Sequence, residues 1–124
     1  MTATRLITCL PGLIGAAGVV LAALSTHAYA GTSLNVAASM LSLHAPAILA
    51  IAAGGRAGVL NERGAGLAAW GLIAGILLFS GDLAWRAFFG AALFPMAAPS
   101  GGVLLIAGWL VAALSGLIGQ TARG

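Results

Sequence analysis

The residues of this chain with the widest chemical range are two histidines, an aspartate and an arginine, and all four lie within apolar sequence: His27, His44, Asp82 and Arg86. Ionisable groups inside a bilayer cost roughly 2.5 to 3.5 kcal/mol or more at its centre on insertion scales, so they turn toward protein, pair, and are functional candidates by default. Asp82 and Arg86 stand four residues apart, the spacing that brings a carboxylate and a guanidinium together on one helical face. Pairing in a low dielectric lowers the cost of both charges without guaranteeing net stability. His27, His44 and Asp82 together would suit proton or ligand handling. Against that stands a plainer reading, in which all four residues are hydrogen-bonding glue between helices.

Other chemistries find little support. A hairpin turning at Gly31 to Leu34 sets His27 opposite about residue 38 and His44 opposite about residue 21. At a rise of about 1.5 Å per residue the two imidazoles are then offset by roughly 9 Å along the axis, too far for two axial ligands of one haem iron. A transition metal on His27, His44 and Asp82 has no metal-specific spacing behind it. There is no nucleophile with an identifiable base, no phosphate loop and no paired carboxylates, so no catalytic residue, cofactor or metal is expected and the chain reads as a non-enzyme. The single cysteine, Cys9, excludes an intramolecular disulfide and leaves the redox compartment open.

The elements that carry these residues follow from composition. Of 124 residues, 61% are hydrophobic and 6% charged, where a soluble domain carries roughly a quarter charged residues. A chain this short cannot hide so much apolar surface from water, and lipid must be its solvent. The absence of lysine and the wealth of Gly and Ala have the look of a GC-rich bacterial genome. The five arginines against two acids are too sparse for nucleic acid, which needs a clustered basic patch.

Four apolar stretches reach the roughly twenty residues that a spanning helix needs, and the expected helices cover about 7–30, 35–54, 65–89 and 101–119. Arg5, the apolar run to Leu24 and Ala28-Tyr29-Ala30 before Gly31 imitate a secretory signal. The full run from Ile7 to Ala30 outlasts a usual signal core, so it is read as a retained first helix. The link Gly31 to Leu34 forces an antiparallel return, with Ser33 or Asn35 as the cap of helix two and a kink at Pro46. Residues 54–64 form the polar loop, and a loop holding Pro95 and Pro99 leads to helix four.

The fold expected is therefore an all-α, integral membrane four-helix bundle in a single domain. Four spans put both termini and the 54–64 loop on one side. That side carries Arg5, Arg56, Arg63 and Arg123, and the other at most Arg86, so the positive-inside rule places both termini in the cytoplasm. Small residues supply the packing: Gly71 and Gly75 on helix three, Gly108, Ala112 and Gly116 on helix four, and Gly12, Gly15 and Gly18 on helix one. Such rows let backbones approach, within one bundle or between copies. His27, Asp82 and His44 all fall in the outer half by depth, so a polar cluster open to the periplasmic side is conceivable, with Ser25, Thr26, Tyr29, Ser42 and Ser80 contributing. The loop holding Phe88, Phe89, Phe94 and Met96 suits the outer interface, against lipid or a partner.

In order along the chain stand Ser25-Thr26-His27-Ala28, Leu43-His44-Ala45, Leu78-Phe79-Ser80-Gly81, Gly101-Gly102 and Gly108-Trp109. In this order and spacing the sequence resembles the YgdD-like small membrane proteins, the domain-of-unknown-function family 423. The resemblance implies four spanning helices in a bacterial inner membrane, a retained helix one and no established activity. Asp82 stands where that pattern has a small polar residue and Pro46 where it has an aliphatic one, which sets Asp82 apart as a feature of this chain. The function these residues favour is a non-enzymatic accessory subunit or homo-oligomer acting by helix–helix interaction in contact with lipid. A small transporter or a proton- or ligand-binding protein using His27, His44 and Asp82 is the alternative. Having no detectable inverted repeat, it would work as a dimer.

Overall fold

The computed structural model describes residues 2–121. They form four helices, α1 (Ala3–His27), α2 (Leu34–Arg56), α3 (Glu62–Phe89) and α4 (Ala97–Thr121). The shortest has 23 residues, about 35 Å at the helical rise, which exceeds a hydrocarbon core of about 30 Å. All four are long and apolar enough to cross a membrane, so the chain is a multi-pass membrane protein.

Local chemistry sets most of the ends. Thr2 caps α1 by accepting from the Arg5 amide at 3.4 Å. Asn61 caps α3 by accepting from the Gly64 amide at 3.0 Å, with Glu62 in the first turn against the positive end of the helix dipole. Gly90, at φ 73°, closes α3 in the left-handed conformation that a residue without Cβ adopts freely.

Two expectations need correction at this level. Neither Ser33 nor Asn35 caps α2 with its side chain: the Ser33 hydroxyl donates instead to the Leu83 carbonyl on α3 at 3.2 Å, and Asn35 Oδ1 accepts from the adjacent Val36 amide. The Leu34 amide is met by the Thr32 hydroxyl at 3.4 Å. Helix α4 starts at Ala97, ahead of 101, and takes in Pro99. A proline in the first turn removes an amide that has no intrahelical partner anyway, so it does not delay the helix. Met96, at φ 67°, supplies the turn into α4.

Each helix packs antiparallel on the next, α1 on α2, α2 on α3 and α3 on α4, while α1 touches α3 only lightly. The core runs through Ile14, Leu41, Ile48, Leu72, Ile76 and Leu105. The flanking helices are the more exposed: 22% of the α1 span and 28% of the α4 span are buried, against 44% in α2 and in α3. Leu13, Val19, Val103, Ile106 and Leu117 consequently face outward, as lipid-facing residues must.

Glycines set how closely the helices approach. A Cβ on Gly101 would come within 2.5 Å of the Phe79 amide nitrogen, and one on Gly75 within 3.0 Å of the Gly101 carbonyl. Gly71 faces Gly108, Gly108 faces Leu72, Gly116 faces Leu60, and Ala112 is buried nearby. Of the small residues singled out on helices three and four, Gly71 and Gly108 meet each other, while Gly75 and Gly116 meet Leu105 and Leu60 inside the same bundle. Gly15 and Gly18 do the same for α1 against Ala45 and Ser42, whereas Gly12 faces open space. Of the arginines behind the charge bias, Arg5, Arg56 and Arg63 lie at the end of the bundle shared by the start of α1 and the α2–α3 loop, and Arg123 lies outside the described residues.

Candidate functional site

The polar groups within the spans are distributed as cross-links. His44 projects from α2 into the bundle, 3% exposed. Its Nδ1 lies 2.9 Å from the Met40 carbonyl one turn back, and its Nε2 accepts from the indole N–H of Trp109 on α4 at 3.2 Å. A carbonyl can only accept, so Nδ1 carries the hydrogen and the ring is the neutral tautomer with Nε2 as acceptor. Both nitrogens are then occupied, and neither is available to a metal without displacing Trp109 or Met40. The two rings meet edge to face, centroids 6.0 Å apart.

Asp82 is fully buried near the C-terminal end of α3. Its Oδ2 pairs with Nε of Arg86 at 2.8 Å, and its Oδ1 accepts from the Leu93 amide at 2.7 Å. One carboxylate thus ties the last turns of α3 to the loop that leads into α4, with the Ala98 amide of the first turn of α4 also beside it. Arg86 keeps its outer end exposed, its side chain 44% accessible. Long basic side chains near helix ends commonly reach for the interface in this way.

Ser80, one turn before Asp82, donates to the Ala37 carbonyl on α2 at 3.1 Å, and with the Ser33 bond to Leu83 it joins α2 to α3 twice. Ser115 donates within its own helix to Val111. Among the described residues no buried side-chain nitrogen or oxygen lacks a partner. The interior polar groups are consumed by the fold, and none is left aimed at a space where a ligand would sit.

The three residues of the hypothetical cluster are not brought together. His27, the last residue of α1, is exposed, while His44 and Asp82 hold separate partners with no bond in common. Among the described residues no group of three His, Cys, Asp or Glu could hold a metal ion. Ser25 and Thr26 turn back to the Ala22 carbonyl, and Tyr29 stacks edge-on against Phe88, centroids 5.0 Å apart. Sequence reasoning paired Asp82 with Arg86 from spacing alone but missed Trp109 as the partner of His44. The available signal was a donor-only indole on helix four, eight residues from its expected start.

Comparison with the curated proteins and with the solved structures finds no match. The matched segment includes His27, His44, Asp82 and Gly101-Gly102 and stops before Gly108-Trp109. The family model described as "Protein of unknown function (DUF423)" covers residues 14–102, most of the length, and the chain belongs to that family.

Proposed function

We propose that this protein is a non-enzymatic component of the bacterial inner membrane, with both termini in the cytoplasm, that acts by helix–helix association as a small accessory subunit or homo-oligomer. The observation that carries this reading is the outward face of α1. Gly12 has no atom within 4 Å of where its Cβ would stand, and Ala16, four residues on, is exposed. That small-xxx-small pair is left over once Gly15 and Gly18 have been used against α2, and such pairs serve close helix packing in lipid. The satisfied state of every buried polar side chain among the described residues supports a scaffold in preference to a site that handles a proton or cargo. The arginine bias supports the orientation.

Native mass spectrometry of the protein gently extracted from its own membrane tests the proposal. A defined oligomer or a stoichiometric partner is expected, and it should be lost when Gly12 and Ala16 are both replaced by leucine. The open space at Gly12 means that the protomer itself should fold as before. A clean monomer, or an assembly indifferent to those replacements, overturns it.

A further inference from the structure

At the end of the bundle that holds the polar loop, a cavity of about 170 Å³ lies between the first turns of α1, the last turns of α2 and the first turns of α3. Its lining changes character with depth. At the rim stand Arg56, the last residue of α2, and Glu62, the first of α3, while Ile7, Ala52 and Trp70 line its apolar part. Trp70 is eight residues along α3 from Glu62, about 12 Å deeper at the helical rise. The cavity thus runs from the polar interface toward the hydrocarbon, as an amphiphile does.

The two rim charges are opposite and unpaired. The one ion pair among the described residues is Arg86 with Asp82, so Arg56 and Glu62 do not satisfy each other although they line the same space. A terminal nitrogen of Arg56 donates to the Thr4 carbonyl at 3.1 Å, which fixes the guanidinium across the rim from α2 to α1 and leaves its remaining N–H groups for another acceptor. The Glu62 carboxylate makes no hydrogen bond in the structure and is exposed at the mouth. A purely anionic ligand would set its charge against Glu62 as well as Arg56. A ligand carrying both signs meets both.

We propose that this cavity holds the headgroup of a zwitterionic phospholipid with a primary ammonium, the Arg56 guanidinium taking the phosphate and the Glu62 carboxylate the ammonium, with the start of an acyl chain along Ile7 and Trp70. Guanidinium matches phosphate in geometry and charge. A primary ammonium offers three donors to a carboxylate, whereas a fully methylated one offers none. The apolar lining selects a lipid over the free headgroup.

The test is lipid retention by delipidated full-length protein, read by native mass spectrometry after incubation with equal amounts of phosphatidylethanolamine, phosphatidylglycerol and phosphatidylcholine. Retention of phosphatidylethanolamine should exceed that of each of the others by about three- to tenfold, the size of a charge-assisted hydrogen bond reduced for partial exposure. Glu62→Gln should abolish the preference over phosphatidylglycerol, and Arg56→Gln should weaken retention of all three. Gly66→Leu supplies a second route. Gly66 lines the cavity and has nothing within 4 Å of its Cβ position, so a leucine there should block retention by filling the space while leaving the melting profile unchanged. Equal retention of the three lipids, a preference for phosphatidylglycerol, indifference to Glu62→Gln or Gly66→Leu, or displacement by soluble phosphoethanolamine at the lipid's own concentration would each overturn the proposal. None of these readouts depends on oligomeric state, so the lipid site and the association through α1 stand or fall separately.

Discussion

Trp109 donates its indole N–H to Nε2 of His44, joining α4 to α2 across 65 positions of sequence. These two helices share little other packing, so the bond and the edge-to-face ring contact are much of what links them. Trp109→Phe keeps an aromatic ring and removes the donor, which leaves Nε2 of a buried imidazole without a partner. The expected loss is about 0.6 to 1.7 kcal/mol, the range for interhelical hydrogen bonds in membranes. His44→Leu should cost less in the Trp109→Phe background than in the wild type, because the bond is already gone. Reversible unfolding in mixed micelles measures the cycle, and strictly additive losses would show that the bond contributes nothing.

How far the sequence announced this arrangement depends on which physical signal carried each feature. The spans were legible because twenty consecutive apolar residues have few uses outside a bilayer, and the Asp82–Arg86 pair because it lies within one helix, where spacing fixes geometry. The facing of each helix was not legible. In lipid both the buried and the exposed faces are apolar, so nothing in the pattern around His27 and His44 distinguishes an exposed ring from a buried one. The start of α4 is not legible because Pro95 and Pro99 both read as loop residues, although a proline in a first turn breaks nothing. The cap of α2 was misassigned because Ser33 lies opposite Leu83, a relation set by how α2 and α3 dock.

Removing the Asp82 carboxylate should release the loop between α3 and α4, whereas removing its cationic partner should not. Asp82→Ala leaves the Leu93 amide unpaired and frees the loop before α4, whereas Arg86→Ala deletes a side chain that is already 44% accessible. We expect a loss of about 1 to 3 kcal/mol for Asp82→Ala, the usual consequence of orphaning a buried hydrogen-bonding group. Arg86→Ala should cost more than an ordinary surface pair, because it strands a buried charge, yet leave the loop in place through Leu93. Hydrogen exchange separates the two: the Leu93 amide should exchange faster in Asp82→Ala and remain protected in Arg86→Ala. Equal exchange in both would mean that the carboxylate does not anchor the loop.

Glycine replacements should divide sharply by position. Gly101→Ala drives a methyl group to within 2.8 Å of the Gly75 carbonyl as well as against Phe79, backbone atoms that move only if α3 and α4 separate. Gly119→Ala meets the Leu60 and Asn61 backbone at 2.7 Å. Both should destabilise by about 1 to 3 kcal/mol, the cost of overpacking. Gly81→Ala meets nothing within 4 Å, and relief of glycine's backbone entropy should make it neutral or stabilising by about 0.5 to 1 kcal/mol. A uniform response across these three variants, scored as melting temperature in one detergent, would show that α3 and α4 do not approach as closely as their glycines allow.

The proposed direction in which the chain crosses the membrane rests on arginines at one end of the bundle, and it can be read without perturbing the core. With Cys9 replaced by alanine, single cysteines at Val59 and Ala91 occupy exposed positions in the two loops at opposite ends, α2–α3 and α3–α4. A membrane-impermeant maleimide applied to spheroplasts should label the cysteine at position 91 at once and the one at 59 only after permeabilisation. The bias rests on Arg5, Arg56 and Arg63 within the described residues, so it should also respond to charge. Replacing Arg56 and Arg63 with glutamine while introducing one arginine beside Gly90 leaves two arginines of the sequence against two, which removes the asymmetry, and a mixed labelling pattern is then expected. The pattern opposite to that expected for the wild-type chain would put both termini outside, and the retention of three arginines at that end would then need a cause other than topology, of which the phosphate-facing role of Arg56 is one.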